Sequence, residues 1–167
     1  LFYPTEFFTE EVTKKPFGVF ITPSSSPVFP EKFSGYHTGA DVEIPEFVAS
    51  TATIPIFAVT DGVVVASQRA KGYGGVTVVQ HEYRKESFKA LYGHLNPAGM
   101  LPQGRRVKAG QIIGMLGKGF SKETDGERRH LHFGIYNGDD INIAGYVSRQ
   151  EELAKWIDAV KFFAERM

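Results

Sequence analysis

Short runs rich in Val, Ile and aromatic residues, separated by glycine-containing turns, fill the sequence from Val42 to Tyr136. The runs cover residues 56–59, 62–66, 76–83, 88–92, 112–115 and 131–136, with a shorter one at Val107. Runs of this length and composition favour β-strands, and frequent turns favour pairing between strands that follow each other in the chain. The pattern therefore predicts an all-β core that is mainly antiparallel.

The two ends of the chain differ from this central region. A length of 167 residues with 42% hydrophobic content is enough for one sizeable core, so we expect a single domain. Residues 1–35 are rich in Phe, Pro and Ser and are expected to form an arm packed on a core domain of residues 36–147. Residues 148–167 have apolar side chains at helical spacing behind a capping box of Ser148 and Glu151. This predicts one C-terminal helix packed on the sheet rather than a membrane-surface or partner-binding helix, because its charges are mixed.

Four of the five histidines fall into three short clusters. They are His37 with Asp41 four residues later, His94 alone, and the pair His130 and His132. Neutral imidazole is the commonest metal ligand and also has a pKa near neutrality, so histidine can both bind a metal and move protons. A catalytic zinc takes three protein ligands and leaves a fourth position for water. The clusters indicate a zinc hydrolase site in which His37 and Asp41 supply two ligands and His132 is the best supplier of the third.

The His-x-His pair has the alternation of a strand. His130 and His132 alternate with apolar Leu131, Phe133 and Ile135, so the histidines share one face and the apolar residues face the core. Side chains two residues apart are separated by roughly 6.5–7 Å along a strand, and zinc–nitrogen bonds are only about 2 Å long. One histidine of the pair is therefore expected to be a ligand and its neighbour a catalytic group.

In order and spacing, these clusters resemble the lysostaphin-type (LytM-like) zinc endopeptidases of bacterial cell walls. Between the clusters, Asp-Gly-Val-Val-Val at 61–65, Gly-Tyr-Gly-Gly at 72–75 and Gly-Gln-Ile-Ile-Gly at 110–114 add to the resemblance, which spans about residues 36–136. The resemblance implies the duplicated-hybrid-motif fold, as a sandwich or a barrel. It implies that the zinc ligands are His37, Asp41 and His132, and that the paired catalytic histidines are His94 and His130. It also implies one Zn²⁺ per chain, a peptidoglycan peptide as substrate and an extracytoplasmic location.

The chemistry of the five residues fits these roles. Zinc polarises a peptide carbonyl and lowers the pKa of water, while two further histidines can serve as general base, oxyanion stabiliser and proton donor. The sequence leaves open which histidine takes which step. A structural zinc is the competing interpretation, but it gives His94 and His130 no purpose. Bacterial wall peptidases with D-alanyl-D-alanine specificity resemble His-x6-Asp with a later Glu-x-x-His, whereas the first gap here, from His37 to Asp41, is only three residues.

Three departures from the family pattern lie around the metal cluster. Residues 121–129 form a charged loop where small residues and proline are common, the link at 43–56 is long, and Phe133 precedes Gly-Ile-Tyr where an acidic residue is common. Arg128 and Arg129 in the loop are candidates for binding a substrate carboxylate, although arginines in such loops are more often solvated. A non-catalytic or autoinhibited module that binds cell wall or regulates a partner hydrolase is the alternative function, because the loop or the arm could close the cleft.

Two further residues have candidate roles, and the composition of the chain excludes some classes of function. His81 lies at a strand end and is expected to be structural, while Tyr92 either lines the cleft beside His94 or packs in the core. Equal numbers of basic and acidic residues, 19 of each, give no net field to attract nucleic acid. The chain has no cysteine, no apolar run long enough to span a bilayer and no signal peptide. Its first residue is Leu1 rather than Met, which is compatible with a removed leader and with export. The oligomeric state is not indicated.

Overall fold

A computed structural model describes all residues from Leu1 to Met167, and its regular structure is almost entirely β. Strands β1 to β12 are, in order, Phe20–Ile21, Gly35–His37, Ala40–Glu43, Pro55–Phe57, Gly62–Ala70, Gly74–Tyr83, Glu86–Leu95, Arg106–Val107, Ile112–Met115, His130–Tyr136, Tyr146–Val147 and Trp156–Ile157. The helix α1 is Ala159–Ala164, and Pro97–Gly99 and Gln150–Lys155 are 3₁₀ turns. None of the helices has the length and hydropathy that crossing a bilayer requires.

The strands pair antiparallel in three open sheets, which confirms the all-β prediction and shows that the sheets do not close. The central sheet has the order β12-β10-β7-β6-β5-β8, with β3 also paired to β10; β1, β2 and β11 form a second sheet and β4 and β9 a third. In the central sheet, His132 on β10 pairs with Asp41 on β3 and with Gly93 on β7. The backbone register therefore brings three distant histidine clusters to one place.

One face of β10 builds the core and the other builds the site. Leu131, Phe133 and Ile135 have no exposed surface, and they belong to one hydrophobic cluster that also contains Phe8 from the arm and Phe163 from α1. Burying side chains of this size stabilises the fold by about 1.5–3 kcal/mol each. The alternation predicted from the sequence thus fixes which side of the strand the histidines take.

The side chains of strand β7 stop alternating regularly between the two faces of the sheet just before the site. Tyr92 is fully buried against Phe133, with ring centroids 5.2 Å apart, whereas His94 two residues later lines the opposite side of the sheet. Regular alternation would put both on one side. His94 has φ of +63°, a conformation that non-glycine residues rarely adopt and that is enriched at functional sites. Tyr92 is therefore a packing residue, and of the two alternatives for it only the core is observed.

His81 is a buried structural residue. Its Nδ1 donates to the carbonyl oxygen of Asp61 at 3.2 Å, and its Nε2 accepts from the hydroxyl of Tyr92 at 3.0 Å. Both ring nitrogens are satisfied only in the neutral form, and burial lowers the pKa of His81 to about 4. His81 has no contact with the other histidine clusters.

We expect the stability of the protein to fall between pH 7.5 and pH 5 partly because of His81. In the unfolded chain this imidazole takes up a proton as the pH falls through about 6.5, whereas the folded protein resists protonation until about pH 4. Stability is therefore lost as the pH falls. The difference between the two pKa values of His81 lowers the free energy of unfolding by about 2 kcal/mol at pH 5. Urea unfolding of wild type and His81→Gln at both pH values measures the effect. An equal pH dependence in the two proteins would contradict it.

The two chain ends are both attached to the core. The arm contributes Phe8, whose ring packs 4.9 Å from Phe163. The predicted C-terminal helix is present, but within 148–167 only the six residues of α1 are α-helical, and Gln150–Lys155 is 3₁₀ instead. The helix α1 is capped by Asp158, whose side chain accepts from the backbone of Val160 and Lys161. The predicted box of Ser148 and Glu151 does not form. The Ser148 hydroxyl instead contacts Glu152, and the helix begins late because β12 first pairs with β10.

Candidate metal centre and cleft

Three side chains predicted as metal ligands converge below the surface. Nε2 of His37 lies 3.0 Å from Nδ1 of His132 and 3.2 Å from Oδ1 of Asp41, and the last two atoms are 3.0 Å apart. Donor atoms about 2.0–2.1 Å from a tetrahedral zinc are separated by about 3.3 Å. The triangle is therefore within a few tenths of an ångström of the size that zinc requires.

The hydrogen bonds around this triangle also favour a cation. Nδ1 of His37 lies 3.1 Å from the carbonyl oxygen of Pro16, so it must carry the proton and leave Nε2 with a lone pair when the ring is neutral. That lone pair faces the carboxylate oxygen of Asp41, and two acceptors repel each other unless a cation or a proton lies between them. Two imidazoles and a carboxylate form a donor set that suits zinc.

Glycine at position 39 makes room for the third predicted ligand. A side chain there would begin 2.9 Å from Nε2 of His132 and 2.6 Å from the carbonyl oxygen of Phe133, which is closer than packed atoms approach. The His-x-Gly-x-Asp spacing thus has a packing reason, because the imidazole of His132 lies over this turn. Nε2 of His132 itself has no hydrogen-bond partner.

The two predicted catalytic histidines lie side by side next to this triangle. The rings of His94 and His130 have centroids 4.1 Å apart. Nδ1 of His94 bonds to the carbonyl oxygen of Tyr73 at 3.1 Å, and Nδ1 of His130 bonds to that of Arg128 at 3.0 Å. Since a carbonyl can only accept, each Nδ1 carries a proton, and each Nε2 is the atom available for proton transfer.

Burial keeps the pKa of two of these histidines low. Removal from water lowers the pKa of His132 to about 4 and that of His94 well below its ordinary value, with the neighbouring His130 adding to the effect at His94. A neutral ring is the form that a metal ligand or a general base needs at pH 7. Burial alone raises the pKa of Asp41, but His130 and His37 outweigh it and hold that pKa well below its usual value.

A cleft of about 410 Å³ opens over the cluster and is lined by Asp41, His94, His130 and His132. All five predicted site residues are thus within one neighbourhood, and four of them face this cleft. The structure adds residues that the sequence did not single out as site residues. Lys15, Tyr73 and Tyr146 also line the cleft; Lys15 lacked any signal because its place beside Asp41 depends on the path of the arm.

The second carboxylate oxygen of Asp41 faces the side chains of Arg128, Lys15 and His130. Oδ2 accepts from Nη2 of Arg128 at 2.8 Å and lies 3.6 Å from Nζ of Lys15 and 3.3 Å from Nε2 of His130. Arg128 also donates to both oxygens of Glu43. This leaves Oδ1 as the oxygen that faces the other two candidate ligands.

The two arginines of the charged loop are both bound within the protein. Arg128 is committed to Asp41 and Glu43, and Arg129 donates to the carbonyl oxygens of Ala49, Ser50 and Ala52 in the long link. Both side chains are partly buried and hydrogen-bonded within the protein, which disfavours the hypothesis that they bind a substrate carboxylate. The charged loop at 121–129 and the long link at 43–56, which both depart from the family pattern, are thus joined by hydrogen bonds of Arg129.

The sequence is similar to those of two proteins from Neisseria. DD-carboxypeptidase/endopeptidase Mpg of Neisseria meningitidis serogroup B (strain ATCC 13091 / M2091) is 30% identical over 131 residues, which are 78% of this chain and 27% of that protein. The protein of the same name from Neisseria gonorrhoeae (strain ATCC 700825 / FA 1090) gives the same values. The chain therefore spans about a quarter of the length of these relatives.

Solved structures agree with the sequence matches. The structure of LytU superimposes with a TM-score of 0.54 and 27% identity, covering 91% of this chain and 86% of LytU. Helicobacter pylori Csd3 gives a TM-score of 0.52 over 98% of this chain and 39% of Csd3; at 24% identity this likeness shows the fold alone. The model of peptidase family M23 matches residues 35–143, which include all five predicted site residues. The predicted resemblance is thereby confirmed, and the chain belongs to peptidase family M23.

Proposed function

We propose that this protein is a zinc-dependent endopeptidase that hydrolyses peptide bonds in peptidoglycan cross-links or stem peptides, outside the cytoplasm. The observation that carries the proposal is the triangle of His37, Asp41 and His132 donor atoms, with edges of 3.0–3.2 Å, next to a close pair of histidines in an open cleft. The names of the Neisseria relatives, DD-carboxypeptidase/endopeptidase, support this class of substrate.

In this proposal the metal is held by Nε2 of His37, Oδ1 of Asp41 and Nδ1 of His132. Zinc bound there supplies a Lewis acid that activates both the peptide carbonyl and the attacking water. The protein fixes the ligands beforehand: the carbonyl of Pro16 sets the tautomer of His37, and Arg128 holds the other oxygen of Asp41. Such outer contacts orient ligands and tune their basicity.

His94 and His130 carry the proton transfers at their Nε2 atoms. One accepts the proton of the attacking water and the other donates a proton to the leaving amine, and a protonated ring also stabilises the developing oxyanion. Their backbone bonds to Tyr73 and Arg128 keep both rings oriented through the cycle. No glutamate is needed as the base.

Removing the metal tests the proposal directly. Protein purified without chelator is expected to contain about one zinc per chain, the stoichiometry of a single three-ligand site. Dialysis against 1,10-phenanthroline should abolish release of new amino groups from purified peptidoglycan, and added Zn²⁺ should restore it. The nonchelating 1,7-phenanthroline serves as the control. A metal-free protein that cleaves peptidoglycan at the original rate would refute the proposal.

A further inference from the structure

The N-terminal arm runs directly alongside the two ligands that come from β2 and β3. The backbone N–H of Asp41 donates to the carbonyl oxygen of Lys15 at 3.0 Å, and that of His37 donates to Val19 at 2.9 Å. The imidazole of His37 donates to the carbonyl oxygen of Pro16, and the N–H of Gly18 donates back to His37. Four arm residues, Lys15, Pro16, Gly18 and Val19, thus bond to one or the other of these two ligands, and the arm is continuous with the site.

Lys15 places a buried ammonium group between the arm and Asp41. Its side chain is 4% exposed, and Nζ lies 3.0 Å from Oε2 of Glu31, 2.8 Å from the hydroxyl of Tyr146 and 3.6 Å from Oδ2 of Asp41. Burying a lysine is unfavourable unless its charge is paired and its N–H donors are used. Here Nζ donates hydrogen bonds to Glu31 and Tyr146, and Oδ2 of Asp41 lies within ion-pair distance.

The arm also brings the counterion for this lysine. Glu31 is 1% exposed at its side chain, and it accepts from Ser26 and from the backbone N–H groups of Lys32 and Phe33 in addition to Lys15. Glu31 is therefore anchored independently of Asp41. The ion pair between Lys15 and Glu31 fixes the position from which Nζ faces the carboxylate of Asp41.

We propose that Lys15 is a positioning residue of the metal site: it fixes Oδ2 of Asp41 from one side while Arg128 fixes it from another, so that Oδ1 is presented to the metal. The inference rests on the proposed zinc site and assigns part of it to the arm. It also gives the arm a supporting role, in contrast to an arm that blocks the cleft.

Lys15→Met is expected to weaken zinc binding by about 10- to 100-fold, the usual effect of losing a contact that orients a ligand. Charge alone predicts the opposite sign, because removing a cation beside a metal site favours binding of Zn²⁺. Zinc affinity is measured by competition with a chromogenic chelator. Lys14→Met is the matched control, since Lys14 is half exposed and approaches Glu43 only at 3.8 Å; its affinity should equal that of wild type.

Two further measurements separate positioning from folding. The double variant Lys15→Met/Glu31→Gln removes both charges, so no buried carboxylate is left without its cation, and it should show the same loss of zinc affinity. The rise in unfolding temperature on adding zinc should shrink in both variants, whereas a purely structural role would lower the metal-free and zinc-bound temperatures equally. Zinc affinity at or above the wild-type value, or failure of both variants to fold, overturns the inference. A wild-type protein that binds no zinc overturns the proposed function instead.

Discussion

Asp41→Asn is expected to abolish zinc binding and peptidoglycan hydrolysis together. The substitution replaces the anionic ligand oxygen by a neutral amide. In the wild-type protein, Arg128 and Lys15 contact Oδ2 of Asp41. The substitution places either the amide N–H₂ group or the amide oxygen, a weaker acceptor than a carboxylate, at that position. Zinc content after purification and amino-group release from peptidoglycan measure both losses. A variant that keeps stoichiometric zinc and wild-type turnover would exclude Asp41 as a ligand.

The same substitution should destabilise the metal-free protein by about 3 kcal/mol, the low end for a broken buried ion pair, because Glu31 and Glu43 still pair with the two cations. Guanidinium unfolding of the metal-free forms gives this value separately from the loss of metal. Asp61→Asn is the control, since Asp61 is 55% exposed and pairs with Lys108 at the surface. Exposed pairs contribute at most about 1 kcal/mol.

His94→Ala is expected to lower kcat by about 10²- to 10⁴-fold, the contribution of a positioned general acid or base, while zinc content stays at the wild-type level. Turnover is expected to fall without loss of zinc because His94 bonds to the backbone of Tyr73 and makes no hydrogen bond to the three proposed ligands. Turnover is measured with saturating soluble peptidoglycan, and zinc by elemental analysis of the same samples.

His81→Gln is the matched control for this experiment. It removes a histidine that is equally buried but lies away from the cleft, so kcat at pH 7.5 should stay within a few fold of wild type. If His94→Ala loses its zinc, or if turnover falls less than tenfold, His94 is a structural residue rather than a participant in proton transfer.

The sequence predicted those parts of the site that follow from local periodicity. Alternation along β10 was enough to place His130 and His132 on one face, because that face depends only on which neighbours are apolar. The same rule failed for Tyr92 and His94, since the positive φ at His94 interrupts the alternation and has no signature in the residues around it.

Long-range contacts were outside the reach of sequence patterns. The pairing of Lys15 with Glu31 and Asp41 depends on the course of an arm that has only one short strand. The C-terminal segment has good helical spacing, yet Trp156 and Ile157 extend the sheet instead, because an unpaired edge of β10 offers them hydrogen bonds. In both cases tertiary structure overrides or replaces the local signal.

The distance in sequence between the candidate ligands has a consequence for when activity can arise. His37 and His132 are 95 residues apart, and they meet only through the pairing of β10 with β3. Closing a loop of this length carries an entropic cost that must be met by sheet formation, so such contacts form late in folding. A chain that has not yet been synthesised as far as β10 holds no complete ligand set. In the proposed zinc site, the metal can therefore be bound by all three ligands only after β10 has been synthesised and has paired with β3.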